Sequence, residues 1–301
     1  MKQKLNRAWL ALITGVILVG AGIAVWYGLV RSTSTPRNIS FNGERAFQNL
    51  AFQMSLGPRI VGTEGHARVV SWIEQQMTAA DWQVGAPELQ WMGHPVQNII
   101  ARRGTGKPWI VIGAHYDTRM WADQEKNEAK QKDPVPGAND GASGVAVLLE
   151  LGRVLPKDLP KTVWLVFFDA EDNGDIPGYD WIMGSRAFVA SLTEKPDAAV
   201  IVDMIGDKDL NIFMERNSNA DLNRQVWDQA NSLGFADNFI PQYRWSMEDD
   251  HTPFLQAGVP AVDIIDFNYP AWHTTKDTID QVSARSLQIV GETLRSWLTS
   301  F

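Results

Sequence analysis

The sequence predicts an α/β protein: a three-layer sandwich with a central mixed, mostly parallel sheet covered by helices on both faces, plus an N-terminal transmembrane helix. Three observations carry this. From about residue 43 onward, apolar runs rich in Val, Ile and Phe alternate with helical patterns, the mark of strand–helix–strand units. Several of the runs are near-continuously apolar, as strands covered on both faces are. Residues 8–30 form an uncharged run of their own.

That first run is long enough, at ~1.5 Å per residue, to cross a hydrocarbon core of about 30 Å. Lys2, Lys4 and Arg7 precede it and favour a cytoplasmic N-terminus. A cleaved signal peptide has a shorter apolar region, and no convincing small-x-small cleavage site follows. The reading is therefore a single-pass signal anchor with the following domain on the extracytoplasmic side. Residues 1–7 would be a cytoplasmic tail, 31–42 a polar tether and 43–301 one domain.

Within that domain, strands are expected at 96–101, 109–113, 163–168, 198–203, 210–214 and 261–265. Helices are expected at 65–80, 142–155, 185–192, 221–233 and 283–298. The polar, charged stretch 121–135 reads as a surface loop on the rim of a site. Composition narrows the function. The 301 residues are 45% apolar, too many for a disordered chain, and contain no Cys. Cysteine nucleophiles, disulfide frameworks and iron–sulfur clusters are thereby excluded. A net charge of −8 argues against a nucleic-acid partner.

In open α/β sheets, ligands bind beyond the carboxyl ends of the strands, and five residues of metal-ligand type fall at such places. His115 follows the run 109–113, Asp172 follows 163–168, Asp203 ends 198–203, and His273 lies beyond 261–265. Asp140 stands in a small-residue turn immediately before a helix. Each alone reads as a cap, turn former or packing residue. Together they form an N/O donor set suited to zinc, with Glu171 left free beside Asp172 to carry protons. His66 and His94 read as surface or packing residues.

The motifs HYDT at His115, GANDGASG around Asp140, FFDAED ending at Asp172, VDMIG at Asp203 and AWHTTKDT at His273 resemble the M28 family of zinc-dependent peptidases. The resemblance runs in one order over nearly the whole of the soluble part. It implies, for two Zn2+ ions, His115 and Asp203 on one metal, Asp172 and His273 on the other, Asp140 between them and Glu171 as general base. Other features are similar to the animal-type glutaminyl cyclases of that superfamily: Gly57-Pro58-Arg59, Asp249-Asp250-His251, Gly258-Val259-Pro260, Tyr269-Pro270 and Trp272 before His273. That likeness implies a single Zn2+ on Asp140, Asp172 and His273. Glu171, Asp203 and Asp249 would handle protons, and Trp272 and Tyr269 would line the substrate pocket. Two departures stand out. Asp172 replaces the Glu usual in cyclases, and the pocket Trp expected shortly after it is missing, with Trp181 too far along the chain to substitute.

Three functions follow for comparison. The resemblance favours a glutaminyl-peptide cyclotransferase that turns an N-terminal Gln into pyroglutamate. The alternative is a two-zinc aminopeptidase, and both need a peptide with a free N-terminus. The third is a catalytically silent, membrane-anchored binding ectodomain; loss of ligands would be its mark, and every candidate ligand is present.

Overall fold

A computed structural model of the chain describes residues 40–300. The expected anchor at 8–30 and most of the tether lie outside the described residues. Among those described, no helix is long and apolar enough to cross a membrane.

The central sheet has six strands. In chain order these are β1 (Gln83–Gly85), β4 (Ile99–Arg103), β5 (Trp109–His115), β6 (Thr162–Phe168), β7 (Ala198–Asp203) and β10 (Ala261–Ile265). Their spatial order is β1-β4-β6-β5-β7-β10. β6, β5, β7 and β10 are mutually parallel, and β4 runs antiparallel to β6. The mixed, mostly parallel sheet expected from the sequence is the one observed.

Alternation along each strand divides the core in two. Ile110, Ile112 and Ala114 of β5 belong to the larger cluster, while Val111 belongs to a smaller one across the sheet. The larger cluster is shared with α1 (Gly43–Ser55), α2 (Glu64–Ala79), α3 (Ala142–Val154), α5 (Ala220–Ser232) and α7 (Ala284–Ser300). On the other face, among the described residues, only the helices α4 (Met183–Ser191) and the single-turn α6 (Thr252–Gln256) pack, through Phe188 and Phe254. The sandwich is therefore lopsided. Asn42, Thr63 and Asn219 cap α1, α2 and α5 by accepting from backbone N–H groups of the first turn.

The expected strand 96–101 is two strands. β3 (His94–Gln97) pairs with β2 (Glu88–Trp91) in a separate hairpin, and β4 joins the main sheet. Between them Asn98 is fully buried, accepting from the Asp169 N–H at 3.0 Å and donating to the Gly184 carbonyl at 2.9 Å. Its side chain ties down the end of β6, so the chain cannot stay in one ladder there. The stretch expected at 210–214 forms β8 (Ile212–Glu215), paired in parallel with β9 (Phe239–Trp245) outside the main sheet.

Candidate active site

Because β6, β5, β7 and β10 are neighbours in the sheet, their carboxyl ends lie side by side, about 5 Å apart. His115 is the last residue of β5 and Asp203 the last of β7. Glu171 and Asp172 follow β6, His273 follows β10, and Asp140 precedes α3. The five residues that the sequence singled out meet at this edge, all buried, in two triads. His115, Asp140 and Asp203 form one; Asp140, Asp172 and His273 form the other, and within each the donor atoms lie within 4.8 Å of one another.

Asp140 joins the triads. His115 Nε2 is 3.0 Å from Asp140 Oδ1 and 3.1 Å from Asp203 Oδ1. His273 Nε2 is 2.9 Å from Asp172 Oδ1 and 3.6 Å from Asp140 Oδ2. Asp172 Oδ2 is buried without a hydrogen-bond partner, a costly state for a carboxylate oxygen that coordination would relieve. The all-N/O donor set fits a divalent metal such as zinc, and each triad leaves coordination positions free.

Electrostatics point the same way. Burial and the Asp140 charge push Asp172 up to about 6 and Asp203 up to about 7. Burial pushes Glu171 well above the usual carboxylate range, opposed by His115 and reinforced by Asp172 and Asp249. Asp140 stays below its ordinary value despite burial, because His115 and His273 flank it. His273 rises to about 9 against the pull of burial, held there by Asp172, Asp123 and Asp140. So many acids in a dry site call for a cation.

Backbone strain is concentrated here too. Ala170, Met204 and His273, with φ of 50°, 47° and 52°, adopt the left-handed conformation that non-glycine residues avoid, at about 1–3 kcal/mol each. They precede Glu171, follow Asp203 and bear the second imidazole. Gly141 makes room for the first: a Cβ there would lie 2.7 Å from His115 Cε1 and Nε2.

A layer of supports that sequence reasoning missed holds the triads. Asp117 accepts from the backbone N–H of Glu171 at 3.0 Å and of Asp172 at 3.3 Å, and faces His115 Nδ1 at 3.4 Å. Its place two residues after His115 was the available signal. Asp277 accepts from the N–H groups of Asn139 (2.8 Å) and Asp140 (3.2 Å). Arg59, fully buried, donates to the Tyr116 carbonyl at 3.1 Å and the Gly137 carbonyl at 2.6 Å, tying the His115 loop to the Asp140 turn.

A cavity of about 210 Å³ opens over Asp140, Asp172 and His273, and Glu171, Asp203 and Asp249 also line it. Trp272 forms one wall, its ring stacked 3.9 Å from His273 and edge-on to Phe267 at 5.0 Å. Trp181 forms another, parallel to the His273 ring at 6.0 Å, so the expectation that it lies too far along the chain is corrected. The segment after Asp172 doubles back, and Ile182 N–H donates to the Glu171 carbonyl at 2.9 Å. Gly174 permits the return, since a Cβ there would sit 2.0 Å from the indole. Tyr269 is also corrected: it does not line this cavity, and its buried hydroxyl donates to Asp277 at 2.7 Å. His66 and His94 lie outside the triads and are hydrogen-bonded, His66 Nε2 to Asp169 Oδ1 at 2.7 Å and His94 Nε2 to the Gly178 carbonyl at 2.8 Å.

A model of peptidase family M28 matches residues 98–298. A curated glutaminyl-peptide cyclotransferase of Drosophila melanogaster is 26% identical over 302 residues, spanning 85% of this chain and 82% of its own. The crystal structure of Porphyromonas gingivalis glutaminyl cyclase superposes with a TM-score of 0.78 at 31% identity, covering 87% of this chain and 99% of that one. That of a leucine aminopeptidase precursor from Bacteroides thetaiotaomicron gives 0.82 at 28% identity, covering 88% and 99%.

Proposed function

The chain belongs to peptidase family M28 and is an enzyme of that superfamily, and we propose that it is a zinc-dependent glutaminyl-peptide cyclotransferase. The observation that carries this reading is the small aromatic-walled cavity, in which Trp272, Trp181 and Phe267 face Glu171 and Asp249. Cyclisation requires the Gln side chain to fold back on its own α-amine, and a tight apolar wall beside paired carboxylates favours that conformer. The acidic cluster also attracts the cationic N-terminus of a peptide.

In the proposed reaction the α-amine nitrogen bonds to the side-chain carbonyl carbon, the bond from that carbon to the amide nitrogen breaks, and ammonia leaves. Zinc bound by Asp140, Asp172 and His273 would polarise that carbonyl. Glu171 takes a proton from the amine and returns it to the departing nitrogen, a role that its buried carboxyl, outside both triads, suits. Asp249, 5% exposed and with Oδ2 unpartnered, orients the amine. Asp203 completes the proton-handling group beside His115.

One observation favours the aminopeptidase reading: the His115–Asp140–Asp203 triad is complete, so two metals could be held. The test is a Gln-initiated peptide incubated with the zinc-loaded protein. Ammonia release with a mass loss of one ammonia and an intact chain supports the cyclase. Free Gln and a shortened peptide overturn it in favour of the peptidase.

A further inference from the structure

The loop between the HYDT and GANDGASG motifs belongs to neither triad, yet it reaches both the His273 ring and the cavity wall. Asp123 Oδ1 lies 3.5 Å from His273 Nδ1, the ring nitrogen turned away from the triad. That oxygen is buried and has no other partner. The next residue fixes the backbone, as Gln124 N–H donates to the His273 carbonyl at 3.2 Å.

Arg119, 1% exposed, governs Asp123 from behind. Its Nη2 donates to Asp123 Oδ2 and, at 3.1 Å, to the Gly174 carbonyl. Its Nη1 donates to the Asp172 carbonyl at 2.9 Å and lies 3.8 Å from Asp172 Oδ1. The guanidinium carbon stands 4.8 Å over the Trp181 ring. One buried cation thus touches the ligand Asp172, the turn that returns Trp181, and the carboxylate facing His273.

We propose that Asp123 and Arg119 are positioning residues. Asp123 accepts from the Nδ1–H of His273, setting its tautomer and ring plane so that Nε2 faces the triad, while the planar Arg119 fork holds Asp123, Asp172 and Trp181 in register. An imidazole that donates its other N–H to a carboxylate is a stronger and better-aimed metal ligand. A fork with several fixed donors does this where a lysine cannot. The inference rests on the metal reading above but not on the choice between cyclase and peptidase.

The test measures metal binding by the full-length protein without an activity assay. Zinc affinity is read by competition with a chromophoric chelator, and ligand geometry from the visible absorption of the cobalt-loaded protein. Asp123→Ala is expected to weaken zinc binding about 10–100-fold and to change the cobalt spectrum. Asp123→Asn, whose side-chain oxygen still accepts from Nδ1–H, should recover much of the loss. The side chain of Asp123 is 34% exposed, so both variants should fold, with metal-free melting temperatures near that of the parent. Arg119→Lys should alter the cobalt spectrum in the same direction as Asp123→Ala. Unchanged affinity and spectrum in Asp123→Ala overturn the proposal. So does a loss that tracks a fall in metal-free stability and is not recovered by Asn. A parent protein that binds no zinc overturns the metal reading itself, and this inference with it.

Discussion

The two ends of the parallel strands β5, β6, β7 and β10 are made of opposite materials. At the carboxyl ends, buried Asp140, Asp172, Asp203 and Glu171 crowd around two imidazoles, on a backbone with three left-handed residues. At the amino ends, Trp109 and Trp164 lie 4.4 Å apart with Phe188 edge-on to Trp164, and the Arg102 guanidinium covers the Trp164 ring at 4.2 Å. The amino-end cleft is the larger, about 600 Å³ against about 210 Å³. It holds no metal-type cluster, whereas both such clusters among the described residues sit at the other end. Cavity size therefore says little about chemistry here. What marks the site is unneutralised buried charge and strain, both of which cost stability, while the aromatic end supplies apolar burial.

The sharpest test of this contrast is metal removal. Chelation should abolish turnover and zinc should restore it, measured with a Gln-initiated peptide. Full activity in a metal-free sample would break the assignment of the carboxyl end. Next in size is Glu171→Gln, which keeps the shape and removes the proposed proton carrier; turnover should fall by roughly 10²–10⁴-fold with zinc content unchanged. Loss of zinc in step with activity would show that Glu171 is a ligand and Asp172 is not. The complementary substitution is Trp109→Ala at the aromatic end. Trp109 opens β5, is 8% exposed and lies 4.4 Å from Trp164, so its loss should destabilise the fold by about 3–5 kcal/mol in denaturant unfolding. At temperatures where the variant stays folded, turnover should hold. A selective fall in turnover would mean that the two ends are coupled.

The same contrast explains what the sequence reveals. The strands β5, β6, β7 and β10 are legible because both their faces are covered, which leaves unbroken apolar runs. Where burial is one-sided or slight the pattern fades. β9 is mostly exposed, β2 is half-exposed, and α1 is amphipathic but carries buried Asn49 and Gln53 on its inner face. None of these three was anticipated. The triads are legible because ligand types at strand ends are restricted by chemistry. Asp117, Asp123, Asp277 and Arg119 act through other residues, so their positions follow from loop paths that no local pattern encodes. Trp181 and Tyr269 teach the same lesson in opposite directions. Trp181 is distant in sequence but brought back by the turn at Gly174, whereas Tyr269, four residues before His273, packs behind Met204 and Ile265 and gives its hydroxyl to Asp277.

The smallest expected effect concerns pH, and it isolates the charge at the carboxyl end. Burial and the Asp140 charge push Asp277 up to about 7 from an ordinary value of 3.8. Between those limits the folded chain keeps a proton on Asp277 that the unfolded chain has released. An acid raised in this way makes the folded state bind more protons, so stability falls as pH rises through the window. Asp172 and Asp203 are raised from the same ordinary value and add to the slope in the metal-free protein. Asp277→Asn cannot ionise, so its metal-free stability should decline less between pH 4 and 7, by roughly 1–2 kcal/mol, in parallel urea titrations. The constant offset between the two curves reflects the altered bonds to Asn139, Asp140 and Tyr269, and only the slopes bear on the charge. Trp109→Phe at the aromatic end removes no titrating group and should leave the slope unchanged. If the Asp277→Asn and parent curves run parallel, Asp277 is ionised throughout. The carboxyl end would then be less starved of positive charge than its buried acids imply.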